Sequence, residues 1–171
     1  MNIDIKYSDD EEFIHDLTLQ MRLKNYIYNH FYPAYTISNI YPVYLLGGAI
    51  RDLIYAEKPK DLDFVVISED KDFILDVFSK FNINYTFNKF GGFKFIYEGT
   101  SIDLWLTDDL FSAIEYNVDG LFFDLKSNSL ISLTFKDFID NGLKLVNKEN
   151  NIEKGRIEKL KKFEKKYRGI K

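Results

Sequence analysis

LLGGAIRDLIYAEKPKDLDFVV, residues 45–66, sets the fold of this chain. Apolar residues over 43–46 read as a short strand, Gly47-Gly48 as a turn, 49–55 as a helix, 56–60 as a polar loop and 61–67 as a second strand. Side chains alternate faces along a strand, so Asp61 and Asp63 share one side while Leu62, Phe64 and Val66 share the other. Two carboxylates a few ångströms apart repel each other, and a divalent cation relieves the repulsion. Mg²⁺ (or Mn²⁺) suits the position, because it takes hard oxygen ligands and completes its shell with substrate phosphates. The glycines then have a role. Without Cβ atoms they let backbone N–H groups approach a phosphate, and the helix behind them aims its positive end at the same spot. Arg51, one turn into that helix, is placed to pair with a phosphate or with one of the aspartates.

A third acid at a matching position makes this a site for two metal ions. Asp103 stands opposite the apolar face formed by Ile102, Leu104 and Leu106, on a strand that can lie beside 61–67. Three carboxylates can hold two Mg²⁺ ions, one lowering the pKa of an attacking hydroxyl and the other clamping a nucleoside triphosphate. Each piece alone is weak; strand, Gly-Gly, helix, loop and Asp-x-Asp strand in this order are together specific. Trp105 shares the face of Asp103, and packing is preferred over stacking on a base for it.

The remaining sequence is compatible with one domain over 1–171. At 171 residues, 46% hydrophobic and 29% charged, the chain can bury a core without disulfides, and it contains no cysteine. No apolar run is long enough to span a membrane and the acidic N-terminus lacks the features of a secretory signal, so a cytoplasmic location and no membrane partner are expected. A helix is expected over 10–31, opened by Ser8-Asp9-Asp10 and buried through Phe13, Leu17, Met21 and Tyr28; His15 and His30 lie in it too far apart to share a metal. A helix over 71–81 carries Phe73, Ile74, Val77, Phe78 and Phe81 on one face. Strands over 84–90, 93–97 and 101–106, joined at Gly91-Gly92 and at Glu98-Gly99-Thr100, suggest an antiparallel meander. Strands over 120–125 and 130–134, a helix over 135–141 stopped by Gly142, a short strand over 143–146 and a closing helix over 153–167 complete an α+β order. The net charge is −4, yet residues 154–171 hold nine Lys or Arg against Glu158 and Glu164. That asymmetry suits either a partner-facing basic end or a solvated helix.

GGAIRD at 47–52 followed by PKDLD at 59–63 resembles the signature of the head domain shared by bacterial poly(A) polymerases and class II CCA-adding tRNA nucleotidyltransferases, within the DNA polymerase beta superfamily. The resemblance spans about residues 40–146. It implies a nucleotidyltransferase fold, a mixed β-sheet flanked by helices. It also implies that Asp61, Asp63 and Asp103 are the catalytic and metal-binding acids and that Gly47, Gly48, Arg51 and Asp52 lie at the nucleotide. The expected partners are an NTP such as ATP or CTP and an RNA or tRNA acceptor, the latter reached through the basic C-terminal helix. EYNVDGLFFDL, residues 115–125, looks like a degenerate form of the family motif Arg-Arg-Asp-Phe-Thr-Ile-Asn-Ala, with Ala113 and Ile114 where the family has its paired arginines and Asp119 where it has Asn. The family continues into helical RNA-binding domains beyond its head. Two readings follow: an enzyme that moves an NMP from an NTP to an acceptor hydroxyl, such as an RNA 3′ end, a small molecule or a protein; or a non-catalytic relative that binds a nucleotide or a partner. Serine or cysteine hydrolase chemistry has no support, with neither cysteine nor histidine near the motif.

Overall fold

The computed structural model describes residues 6–7, 13–88, 91–147 and, towards the C-terminus, 158, 161, 162, 164 and 165. In chain order the elements are β1 (Lys6–Tyr7), β2 (Phe13–His15), α1 (Leu17–His30), α2 (Pro33–Ser38), β3 (Val43–Leu46), α3 (Gly47–Ile54), β4 (Asp61–Ile67), α4 (Lys71–Lys80), β5 (Tyr85–Phe87), β6 (Phe93–Tyr97), β7 (Thr100–Thr107), β8 (Leu121–Asp124), β9 (Ser129–Ser132) and α5 (Phe135–Asn141). Short 3-10 turns occupy Leu110–Ala113 and Asn117–Asp119. Nine strands among the described residues form one sheet in the order β1-β2-β9-β8-β3-β4-β7-β6-β5. Only β4 and β7 are parallel; every other neighbouring pair is antiparallel. The class is α+β, a mixed sheet flanked by helices.

The parallel pair follows from the connection. Strands β3 and β4 are joined by α3 and pair antiparallel, whereas β4 reaches β7 through α4 and the β5–β6 hairpin. A parallel return needs a long crossover, and α4 supplies its packed part. Its N-cap is Asp70, whose carboxylate accepts from the Phe73 N–H, and Ile74, Val77 and Phe78 are buried, as the spacing predicts. On this side of the sheet Phe31 packs its ring 5.5 Å from Phe64, 5.4 Å from Phe95 and 5.3 Å from Tyr97, while Phe78 lies 5.0 Å from Phe95. Leu62, Phe64, Val66, Ile102 and Leu104 are fully buried there. The meander is borne out: Glu98 and Gly99, both at positive φ, make the tight connection between β6 and β7.

The first helix is shorter and turned differently from the expectation. Residues 8–12, including the Ser8-Asp9-Asp10 cap, lie outside the described residues, and α1 opens at Asp16, whose carboxylate accepts from Leu19 N–H. Phe13–His15 pairs with β9 instead, so His15 is in a strand. The buried stripe is Leu19, Leu23 and Ile27, and Leu17, Met21 and Tyr28 are exposed. Both rows have helical spacing; the sheet selects the one with the branched aliphatic side chains. Pro33 at the first turn starts α2, which the sequence reading lacks. Gly47 and Gly48 form the first turn of α3 rather than a separate turn before it. The short strand expected over 143–146 reduces to one bridge between Leu145 and Tyr116. Gly142, with φ 89°, ends α5 as expected. Most of the basic helix over 153–167 lies outside the described residues; the five described positions there are helical.

Candidate active site

Strand register brings the acids together. Asp63 pairs with Asp103 and Asp61 with Ser101 across the parallel β4–β7 ladder. Adjacent strands lie about 4.8 Å apart and ladder partners point to the same face, so Asp63 and Asp103 stand side by side with Asp61 two residues outward. The opposite face at these positions is Leu62, Ile102, Phe64 and Leu104, each with 0% exposure, which fixes which way the acids point. Asp61 is exposed, Asp63 is half-buried and Asp103 is buried. The site thus grades from solvent at the end of β4 to interior on β7.

Asp103 is held from two sides. Its Oδ2 lies 3.3 Å from Lys94 Nζ, and its Oδ1 accepts from Asn88 Nδ2 at 3.4 Å. Lys94 sits directly across the β6–β7 ladder from Asp103. The Lys94 side chain is 52% exposed, so the pair contributes at most about 1 kcal/mol to stability. Asn88 also clips the turn before β6: its Oδ1 accepts from Gly92 N–H at 2.9 Å and its own N–H donates to the Gly92 carbonyl at 2.8 Å. Glycine is required at 92, because a Cβ there would lie 2.4 Å from Trp105 Cδ1 and 2.9 Å from Asn88 Nδ2. Trp105 therefore packs over this turn, in keeping with the preference for packing.

The helix that follows β3 opens beside the acids. The β3–β4 register ends at Leu45 opposite Phe64, so the next residue, Leu46, continues alongside Asp63 and Gly47 begins α3 just beyond it. No side chain caps α3. The first N–H groups of a helix have no partner within it, and its positive end favours negative charge nearby. The two glycines differ. A Cβ at Gly47 would come within 3.2 Å of both the Leu121 carbonyl oxygen and Arg51 Nη1, whereas at Gly48 the nearest contact would be Arg51 Nη2 at 3.9 Å. Gly47 is glycine because β8 passes close by; packing makes no such demand at Gly48.

Arg51 reaches from α3 to the segment that precedes β8. It is buried, its Nη1 donates to the Val118 carbonyl at 3.1 Å, and it lies 3.7 Å from Asp119 Oδ1. These contacts brace α3 against residues 116–120, with the guanidinium beside Gly47 and Gly48. Asp52 is half-buried, and its charge helps to raise the pKa of Tyr26 on α1, after the larger effect of burial. The segment 115–125 has a structural explanation as well. Asp119, in the place of the family's Asn, accepts from Tyr116 N–H at 2.9 Å and faces Arg51. Asn117, 1% exposed, ties this segment to α5 and to Gly142. Lys94, Asn88 and Asn117 were not singled out by the sequence reading.

Among the described residues no three acidic, cysteine or histidine side chains form a ready metal cage. Mg²⁺ does not need one, since it is held by one or two carboxylates with water and phosphate oxygens completing the shell. Asp63 and Asp103 on one face, with Asp61 at its edge, are hard oxygen donors of the right kind. A cavity of about 660 Å³, lined by Tyr116, Leu143, Leu145, Lys161, Lys162, Glu164 and Lys165, lies apart from these acids, none of which borders it. Among the described residues no helix is long and apolar enough to cross a membrane.

No family model matches the chain, and no curated protein does. Solved structures do. A CCA-adding enzyme in complex with ATP superposes with a TM-score of 0.66 at 18% identity over 91% of this chain and 43% of its own. The Thermotoga maritima CCA-adding enzyme complexed with a tRNA gives 0.59 at 18% identity, over 80% of this chain and 37% of its own. A CCA-adding enzyme in complex with CTP gives 0.56 at 18% identity, covering 76% and 38%. The chain shares its fold with part of these CCA-adding enzymes and spans less than half of their length.

Proposed function

We propose that this chain is a metal-dependent nucleotidyltransferase that moves an NMP from an NTP, ATP or CTP, to an acceptor hydroxyl at an RNA 3′ end. The observation that carries the reading is the pairing of Asp63 with Asp103 on adjacent strands beside the uncapped, glycine-opened start of α3. Solved neighbours that bind ATP, CTP and tRNA support it. Asp61, Asp63 and Asp103 would hold Mg²⁺ (or Mn²⁺), which when bound neutralises phosphate charge and makes the acceptor hydroxyl easier to deprotonate. The N–H groups of Gly47 and Gly48 orient the triphosphate, and Arg51 keeps α3 in place through Val118 and Asp119. The acceptor oxygen bonds to the α-phosphorus, the bond from that phosphorus to the bridging oxygen breaks, pyrophosphate leaves, and the hydroxyl proton passes to solvent. Lys161, Lys162 and Lys165 around the 660 Å³ cavity supply cations for an RNA backbone.

The test is incubation with Mg²⁺ and each labelled NTP, with and without tRNA or an oligonucleotide. RNA-dependent label transfer is expected. Transfer to the protein itself or to a small molecule would replace the acceptor, and no transfer under any condition would leave a nucleotide-binding relative.

Gly48→Ala separates the cradle from packing. The added methyl group finds space and favours a helix, so stability should stay level or rise by less than about 1 kcal/mol. Binding of ATP with Mg²⁺, followed by calorimetry, should weaken about tenfold, a loss of about 1.4 kcal/mol, because the methyl group stands where phosphate approaches. Unchanged affinity would remove Gly48 from the site.

A further inference from the structure

Helix α1 carries a second row of side chains that the core does not use. Leu17, Met21, Lys24 and Tyr28 follow one another at spacings of four, three and four residues, the spacing of a helix that packs lengthwise on another helix. The row stands opposite the buried row Leu19, Leu23 and Ile27, and its apolar members are open to solvent: Leu17 is 73% exposed, Met21 57% and Tyr28 55%. Single exposed apolar residues are ordinary, whereas a run on one helical face marks an interaction surface. This seam is about 16 Å long, three helical turns. One end is held in place. The Tyr28 ring meets Tyr32 edge-on at 5.0 Å and lies 6.2 Å from Tyr35, whose hydroxyl donates to the Lys24 carbonyl at 3.4 Å. A surface ordered in advance loses less entropy when it is covered.

Lys24 decides what can lie on this seam. It interrupts the apolar row, α1 contains neither Asp nor Glu, and among the described residues no carboxylate pairs with its ammonium. An ammonium covered by a neighbouring helix is costly unless that helix brings a carboxylate to it. A second copy of α1 brings the opposite. Paired in parallel it sets Lys24 against Lys24, and paired antiparallel about the middle of the seam it leaves the two lysine positions about 5 Å apart along the axis. Anionic lipid suits it little better, since α1 offers only Arg22 and Lys24 and the whole chain carries −4. We propose that α1 is a docking helix for an acidic amphipathic helix of another protein, whose Glu or Asp pairs with Lys24 between apolar contacts at Leu17, Met21 and Tyr28. Phe31, at the C-terminal end of α1, packs on Phe64, so the seam lies on the side of the sheet away from Asp61, Asp63 and Asp103. The docked helix leaves those acids uncovered.

The experiment titrates the full chain, by calorimetry, with two synthetic helical peptides of about three heptads each. Both have leucine along the seam; one carries Glu at the central seam position and the other Lys. The wild type is expected to bind the Glu peptide, and to bind the Lys peptide at least about tenfold more weakly. Lys24→Glu should reverse that order, and Met21→Asp should weaken the Glu peptide about tenfold or more. These side chains are exposed, so circular dichroism and melting temperature should match those of the wild type. Failure of the wild type to bind either peptide, equal affinity for both, or an unchanged order in Lys24→Glu would overturn the proposal. So would two other results: a dimer of the free chain in sedimentation that Met21→Asp dissolves, which would give the face to a second copy, or binding to phosphatidylcholine/phosphatidylserine vesicles that Met21→Asp abolishes, which would give it to a membrane.

Discussion

Asp63→Asn is expected to lower nucleotide transfer by about 10² to 10³-fold while leaving the chain as stable as the parent, with Tm within a few degrees. The substitution keeps size and shape, so what it removes is charge at the one position where the β4–β7 ladder sets an acid beside Asp103. A loss of that size is about 2.7 to 4 kcal/mol of transition-state stabilisation, in the range seen when one preorganised electrostatic partner is deleted from an active site. Stability should hardly change because the core beneath is independent of the carboxylate: Leu62 and Phe64 on the opposite face are fully buried and untouched. Asparagine also relieves repulsion with neighbouring acids, which acts in the stabilising direction. A structural acid predicts the reverse pattern, in which melting temperature falls and activity follows the folded fraction. Thermal melts alongside labelled-NTP transfer distinguish the two, and full transfer by a folded Asp63→Asn would end the catalytic assignment.

The acids and the glycines were legible because their signal is local. Alternation along 61–67 puts Asp61 and Asp63 on one face whatever the sheet order, and the apolar run Ile102, Leu104, Leu106 does the same for Asp103. That the two strands are neighbours is not local and stood in the sequence only as an allowed arrangement, and their parallel pairing was not read from it; both are realised through the α4 crossover. Lys94 was within reach. Once Glu98-Gly99 is taken as a two-residue hairpin connection, the register of 93–97 on 101–107 follows, and Lys94 falls opposite Asp103. Arg51 was not within reach: its partners Val118 and Asp119 lie 67 and 68 residues further along the chain, in a segment with no strong periodicity. The error at α1 has the same origin. Leu17, Met21 and Tyr28 and the row Leu19, Leu23 and Ile27 are both helical stripes, and only the position of the sheet distinguishes the buried one. β2 replaces the start of that helix because β9 offers an open edge, a tertiary effect absent from local propensity.

Asn117→Ala is expected to destabilise the chain by about 3 kcal/mol, read from urea or thermal unfolding. Asn117 is 1% exposed and uses its whole amide: Nδ2 donates to Asp137 Oδ2 at 2.9 Å and to the Gly142 carbonyl at 2.8 Å, while Oδ1 accepts from Lys144 N–H at 2.9 Å. Alanine leaves a buried carbonyl and an amide without these partners and opens a small void. One such orphan costs about 1–3 kcal/mol, so a loss near 3 kcal/mol needs no further mechanism. The acid limb gives an independent check. Hydrogen bonding from Asn117 is the largest cause holding the Asp137 carboxyl below its ordinary value of 3.8, followed by Asn141 and then Lys144. A carboxylate with a depressed folded pKa contributes stability that is present above its unfolded pKa and is lost as pH falls through the folded value. The difference between wild type and Asn117→Ala should therefore be fully present at neutral pH and narrow below about pH 4, once Asp137 is protonated in both. Residues 116–120 also hold Arg51, and Arg51 holds the start of α3. A hub that matters only for packing then predicts that nucleotide affinity of the folded Asn117→Ala protein stays near that of the wild type at temperatures well below its melting point. A weaker affinity there, at unchanged folded fraction, would show that the brace reaches the glycine cradle itself.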